Sequence, residues 1–291
     1  MVSRSAIVLH GFLGDTSMME EVASKLTELG IYKVIHNLSY YDSRNGLDIS
    51  KTFDVRTPIF QHNTTETLTH NLFHKLSNLL KTTEVDFFAH SMGGLVTRAM
   101  LRYLAIRSNA SLKIGESIVK NVFLIGTPNH GTLLAKKFFN FPGDLMATSL
   151  NLLLDLPRGM VTEDDLQLFR SQFVQMIPKG DFLHELNAKD NFVEKAVKWF
   201  TFRGLNAEGL LGLVWQPVIF RKYWLNRPFP FVKTLPIPND GVVNSDSVPL
   251  PYASNYAIEE ATHMDLVRWS SKEPGRDVWT IVKDLIQAQV S

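Results

Sequence analysis

The sequence predicts an α/β fold, a mostly parallel central sheet with helices on both faces and a helical segment inserted into it. Over residues 1–132, apolar strand-like runs alternate with amphipathic helical patterns, an order that makes successive strands parallel. Three turns stand at the C-terminal ends of those runs: His10-Gly11, Ala89-His90-Ser91-Met92-Gly93 and Gly126-Thr127-Pro128-Asn129-His130-Gly131-Thr132. That is the edge at which parallel sheets bind ligands. After Thr132 the alternation stops, and it resumes near Lys195.

Composition narrows the class further. The 291 residues suffice for one domain with an insertion. Thirty basic side chains face 29 acidic ones, so bulk charge points to no nucleic-acid partner. No cysteine is present, which excludes a disulfide frame, a thiolate metal site and a cysteine nucleophile. A strand pattern begins within the first residues, leaving no room for a signal peptide, although one could have been removed. The longest apolar block, near Leu150 to Leu156, is broken by Asp155 and Pro157 and falls short of the ~20 residues of a membrane span. A cytoplasmic or peripheral-membrane location is expected.

Taken in order, Ala6 to His10 is a buried strand, a short apolar run flanked by turn residues. Ser17-Met18-Met19-Glu20 has the form of a capping box for a helix to about Leu29, ended by Gly30. Ile31 to Leu38 is the next strand and 39–63 a long polar loop. Leu68, Leu72, Leu76, Leu79 and Leu80 lie at helical spacing, which predicts an amphipathic helix over Thr64 to Lys81. Val85 onward is a strand, followed at once by a small-residue helix. Ile118 to Ile125, Lys195 to Leu205 and Asn255 to Ala261 complete the strands, and Gly275 to Gln289 is a terminal helix. Residues 133–195 hold only helical stretches punctuated by Pro142, Pro157 and Pro178. They are expected to form a cap on a core of 1–132 and 196–291, with the aromatic and proline-rich 210–235 packed beside it over the site.

Ser91 lies on a strand-to-helix hairpin too tight for large neighbours, and Ala89 and Gly93, two residues to either side, are small. The arrangement resembles the nucleophile elbow of the α/β-hydrolases, with Ala in place of the first Gly of G-x-S-x-G. A serine hydroxyl needs a histidine to take its proton and an acid to orient that histidine. The resemblance implies the chain order serine, acid, histidine. His10 precedes the serine, His90 adjoins it on an extended backbone that points its side chain the other way, and His130 follows the fourth strand. His263, in a turn after a late strand, is the expected base. Asp240, in Asn239-Asp240-Gly241-Val242-Val243, is the expected acid, with Asp246 as the fallback; a plain Asp-Gly turn is the blander reading. The oxyanion would be held by two backbone N–H groups. One is that of Met92, at the positive end of its helix. The other is that of Phe12, where Gly11 lets the chain turn.

More narrowly, the chain resembles the lipase/esterase branch of that superfamily. HGFLG resembles the oxyanion turn of bacterial lipases, AHSMGG their elbow, NDGVV their acid turn and THMDLV their histidine turn. GTPNHGT resembles the turn after the next strand in lipases with a helical cap, and PKGDFLHELN a lid segment.

Other chemistries weigh less. Glu66, His70 and His74 recur every four residues and could hold a metal, but no fourth ligand stands at a recognisable spacing. Asp144, Asp155, Asp164 and Asp165 fit no EF-hand pattern. No metal and no cofactor are expected. The apolar run from Phe138 to Leu154 is either cap core or an acyl-chain wall that meets lipid. Arg221, Lys222 and Arg227 among aromatics form no convincing nucleic-acid surface in a chain of balanced charge.

The expected activity is therefore carboxylic-ester hydrolysis through Ser91, His263 and Asp240, on medium-to-long acyl esters such as acylglycerols or phospholipids, with peripheral contact at a lipid interface. An acyl-thioesterase or acyltransferase would use the same triad. Dehalogenases and epoxide hydrolases place Asp where Ser91 stands. A non-catalytic binding protein of this fold would usually lack a triad member.

Overall fold

A computed structural model describes residues 4–12, 14–39, 76, 83–107, 118–140, 170, 172–188, 197–206, 238–270, 272 and 274–289. Six strands form one sheet: β1 (Arg4–Leu9), β2 (Val34–Leu38), β3 (Glu84–His90), β4 (Val119–Ile125), β5 (Lys198–Gly204) and β6 (Ser254–Ile258). Their order is β2-β1-β3-β4-β5-β6, and every adjacent pair is parallel. The chain steps outward from β1 to β2, returns past β1 to β3, and continues the other way. That reversal between β1 and β3 opens a crevice beyond their C-terminal ends. The expected parallel α/β architecture is the one observed.

Period-two alternation divides the core into two layers. Ile7, Leu9, Val85, Phe87, Ala89, Val122 and Leu124 face one side, where Leu95, Val96 and Ala99 of α2 (Met92–Arg107) cover them. Ala6, Val8, Phe88, Phe123, Ile125, Phe200 and Phe202 face the other. There α1 (Glu20–Leu29) contributes Val22 and Leu26, and α5 (Gly275–Gln287) a stripe of Val278, Val282 and Ile286. On this second face Phe88, Phe123 and Phe200 stack across β3, β4 and β5 with ring centroids 4.7 and 4.8 Å apart. Each such fully buried side chain contributes about 1.5–3 kcal/mol.

The N-terminal end of the sheet is tied by a buried carboxylate. Asp86 accepts from Arg4 Nη2 at 2.8 Å, Tyr32 Oη at 2.7 Å, and both the backbone N and Nδ2 of Asn121. Asn121 and Arg4 also donate to Gln289, which pins the residue pair following α5 to the sheet. Burial pushes the Asp86 carboxyl upward, against the lowering effect of Arg4, Tyr32 and Asn121.

Several boundaries differ from expectation. Asp15, not Ser17, caps the first helical segment: its Oδ1 accepts from Ser17 N at 2.8 Å. A 3-10 turn at Thr16–Met19 therefore precedes α1, so Ser17 does not occupy the N-cap position that a capping box requires. β2 begins at Val34 because Ile31 and Tyr32 pack against the second core before the chain joins β1. β6 ends at Ile258, since Glu259 and Glu260 already turn toward His263. Within 133–195 the described residues include α3 (Leu133–Phe139), a helical turn at 172–175 and α4 (Asp181–Leu186). Of the expected helix over 64–81 only Leu76 is described, helical and buried. The rest of that helix, the 40–63 loop and 210–235 lie outside the described residues, as do Glu66, His70, His74, Asp144, Asp155, Asp164, Asp165, Arg221, Lys222 and Arg227.

Candidate active site

β3 ends at His90, and α2 begins at Met92, so a single residue makes the whole turn. That residue, Ser91, has φ 52°, a left-handed conformation that costs a non-glycine residue about 1–3 kcal/mol. Its N–H donates to Ile125 O at 2.8 Å and its carbonyl accepts from Gly94 N at 3.0 Å, so β4 and α2 both hold the strain. Gly93 has to be glycine for a reason of packing: a Cβ there would overlap the carbonyl oxygen of His10. The start of α2 thus presses directly on the end of β1, and Met92 stands in its first turn, where unpaired amides favour negative charge. Ala89, on the other side, is fully buried in the first core layer.

His263 and Asp240 meet through their side chains. His263 Nδ1–H donates to Asp240 Oδ2 at 2.7 Å, with both residues buried. A carboxylate can only accept, so Nδ1 carries a proton, and in the neutral ring Nε2 keeps a lone pair. Asp240 Oδ1 accepts from the backbone N of Val242 at 3.0 Å and of Val243 at 2.7 Å. Three donors therefore fix the carboxylate's direction. Asp246, the fallback acid, lies exposed in a 3-10 turn at Ser245–Ser247 and makes no described contact with His263.

Ser91 and His263 come to the same edge through β4. A Cβ on Gly126, the residue after Ile125, would lie 3.0 Å from His263 Cε1 and 3.1 Å from Nδ1, so the imidazole rests on that backbone. Ser91 Oγ and His263 Nε2 form no hydrogen bond with each other among the described residues; such bonds commonly tighten only in the complex with substrate.

The turn after β1 closes the opposite side. A Cβ on Gly11 would stand 2.9 Å from Ser91 Cβ. The carbonyl of Gly11 accepts from His10 Nδ1 at 2.8 Å and from Gly14 N at 3.2 Å. A trans peptide directs the following N–H, that of Phe12, to the side opposite this carbonyl. His10 Nε2 accepts from Ser39 Oγ at 2.9 Å, so His10 braces the turn. The Phe12 ring packs at 5.0 Å from that of Phe173, which brings the 172–175 helical turn beside this loop.

Sequence reasoning overlooked two parts of this assembly. The Gly126–Thr132 turn buttresses the acid loop: Thr132 Oγ1 donates to Val242 O at 2.6 Å, Asn129 Nδ2 to Val248 O at 2.6 Å, and His130 N to Ser247 O at 2.9 Å. The GTPNHGT motif marked the turn, but no spacing rule links it to residues more than 100 positions later. The second is His90, expected to turn away from the site. Its ring lies 4.6 Å from that of His263, and its Nε2–H donates to His263 O at 3.0 Å. Alternation does carry His90 away from the first face, but the His263 loop folds over the second face and meets it there.

Among the described residues no group of three potential ligands could hold a metal ion, and no helix is long and apolar enough to cross a membrane.

A family model described as Domain of unknown function (DUF7379) matches residues 50–204, just over half of the chain. That span contains Ser91 and the Gly126–Thr132 turn and ends before Asp240 and His263. No curated protein matches the chain. Among solved structures it is similar to the mature form of the Bacillus licheniformis lipase BlEst2, at 18% identity over 97% of this chain and 92% of that one, with a TM-score of 0.58. It is also similar to the phospholipase PlaB of Legionella pneumophila, at 14% identity over 85% of this chain and 46% of that one, TM-score 0.51. The metagenomic carboxyl esterase MGS0156 aligns at 12% identity over 91% and 65% of the two chains, TM-score 0.51. These likenesses establish the α/β-hydrolase fold.

Proposed function

We propose that this chain, which belongs to the DUF7379 family and has the α/β-hydrolase fold, is a serine carboxylic-ester hydrolase of the lipase/esterase type. The observation that carries the reading is the 2.7 Å pair of Asp240 and His263 at the sheet edge where Ser91 is held in a left-handed turn. Ser91 Oγ attacks the ester carbonyl carbon as its proton passes to His263 Nε2. The carbonyl oxygen becomes an oxyanion, held by the N–H groups of Phe12 and Met92, each worth a few kcal/mol to the transition state. His263 Nε2–H then protonates the departing alkoxide, the ester C–O bond breaks, and Ser91 carries the acyl group. Water repeats the sequence through the same base and frees the acid. Asp240 orients His263 and balances the charge it gains.

The substrates proposed are medium-to-long acyl esters, acylglycerols or phospholipids among them, met at a lipid interface under a cap that includes the helical turn at 172–175. The contact of Phe12 with Phe173 supports a segment of that cap beside the reacting edge. Neighbours that are a lipase, a phospholipase and a carboxyl esterase agree with this chemistry.

A chain-length series of p-nitrophenyl esters, soluble and emulsified, tests the proposal with Ser91→Ala as the blank. Turnover is expected with the wild type and lost in Ser91→Ala and in His263→Ala. Equal rates in wild type and Ser91→Ala would overturn it.

A further inference from the structure

We infer that His90 is a positioning residue for His263, fixing the base through a hydrogen bond from its ring to the main-chain carbonyl of His263. The inference rests on the reading of His263 as the general base.

His263 is gripped at its backbone as well as its ring. Its N–H donates to Asp240 O at 2.9 Å, and its C=O accepts from His90 Nε2 at 3.0 Å. The two imidazoles lie 4.6 Å apart at 42°, and the Gly126 backbone abuts the His263 ring as well. With Asp240 holding Nδ1, these contacts set the direction in which Nε2 faces.

The chemistry of His90 suits that role. A carbonyl can only accept, so His90 Nε2 must carry a proton. Complete burial, with His263 and His10 nearby, holds the ring well below the ordinary histidine value. His90 is therefore a neutral donor, and no like charge opposes the imidazolium that forms on His263. Its other nitrogen, Nδ1, is buried with no hydrogen-bond partner among the described residues. An unsatisfied buried acceptor is costly, and an apolar residue of the same size would avoid it. What the imidazole supplies in return is the Nε2 donor at the base's carbonyl.

Three variants separate the donor from the ring. In His90→Gln the amide nitrogen reaches the position of Nε2 and the donor is kept without a titrating group. In His90→Asn the amide falls short, and in His90→Leu the donor is gone. With a soluble p-nitrophenyl ester, His90→Gln is expected to keep kcat within about threefold, whereas His90→Asn and His90→Leu lose about 10–100-fold in kcat with KM little changed. The downfield proton NMR signal of the His263–Asp240 pair, which needs no turnover, should persist in His90→Gln and broaden or vanish in the other two. Folded His90→Asn or His90→Leu protein with near-wild-type kcat and an intact signal would overturn the inference. Equal losses in all three variants would overturn it as well, by assigning the effect to the ring alone. Ser91→Ala with undiminished turnover would instead defeat the ester-hydrolase reading, and the NMR comparison would still decide the role of His90.

Discussion

Asp240 and His263 are joined twice. The side chains pair at 2.7 Å, and the His263 N–H donates to the Asp240 carbonyl at 2.9 Å. The loop that precedes β6 and the loop that follows it are thereby held at one relative height and angle.

This double link separates the two candidate acids by experiment. Asp240→Asn keeps the size of the side chain but replaces the carboxylate that selects the His263 tautomer, so kcat for an ester is expected to fall by about 10³–10⁴-fold. Asp246→Asn, on an exposed turn, should stay within about twofold. Steady-state kinetics on both variants decides the assignment, and the opposite pattern would transfer the role to Asp246.

Gly126 should tolerate no side chain. Its φ is 62°, and a Cβ would meet the His263 ring at 3.0 Å and Leu266 Cδ1 at 3.2 Å. Gly126→Ala is expected to cost about 1–3 kcal/mol in urea unfolding, from backbone strain, and to lower kcat by about tenfold or more by displacing the base. Full activity in the folded variant would show that the ring has room to move.

The Asp86 network lies at the far end of the sheet, so its loss should affect stability and leave chemistry alone. Asp86→Ala strands Arg4 and Asn121 and should destabilise by about 3–5 kcal/mol, with kcat per folded molecule unchanged. The pH dependence has a definite sign. The folded-state pKa of Asp86 is raised above its unfolded value, so its titration favours the fold most below about pH 4. That contribution declines as pH rises through the raised folded value. Wild-type stability relative to Asp86→Asn, followed by urea unfolding upward from about pH 4, should therefore fall with pH; a rise would contradict it.

Phe12 and Phe173 join the first-strand turn to the 172–175 helical turn. A double-mutant cycle with alanine at each position should give a coupling of about 0.5–1.5 kcal/mol in unfolding free energy. Strict additivity would mean that the two rings touch without stabilising one another.

The elbow was legible because its sequence signal is local, although Gly93 answers to the carbonyl of His10 and Ser91 to Ile125. A strand, a one-residue turn and a helix lie within Val85 to Met100, and small residues mark the crowding. Asp240 and His263 were singled out by turn chemistry and by the chain order that the resemblance implies, and their side chains do pair. Asp15 shows where local reading slipped: it and Ser17 both suit an N-cap, and the choice lay in the extended backbone of Asp15, which aims its carboxylate at the Ser17 amide.

By itself the sequence determined the parallel α/β plan and the tight turn at Ser91, and turn chemistry, with the chain order the resemblance implies, singled out His263 and Asp240 with Asp246 as fallback, since periodicity and turn residues are properties of neighbours along the chain. Tertiary structure alone decided that His90 lies against His263 and that the Gly126–Thr132 turn braces the acid loop. Those contacts join residues more than 100 positions apart, and the register of parallel strands and the folding of the last loops over one face of the sheet, rather than any spacing in the chain, bring them together.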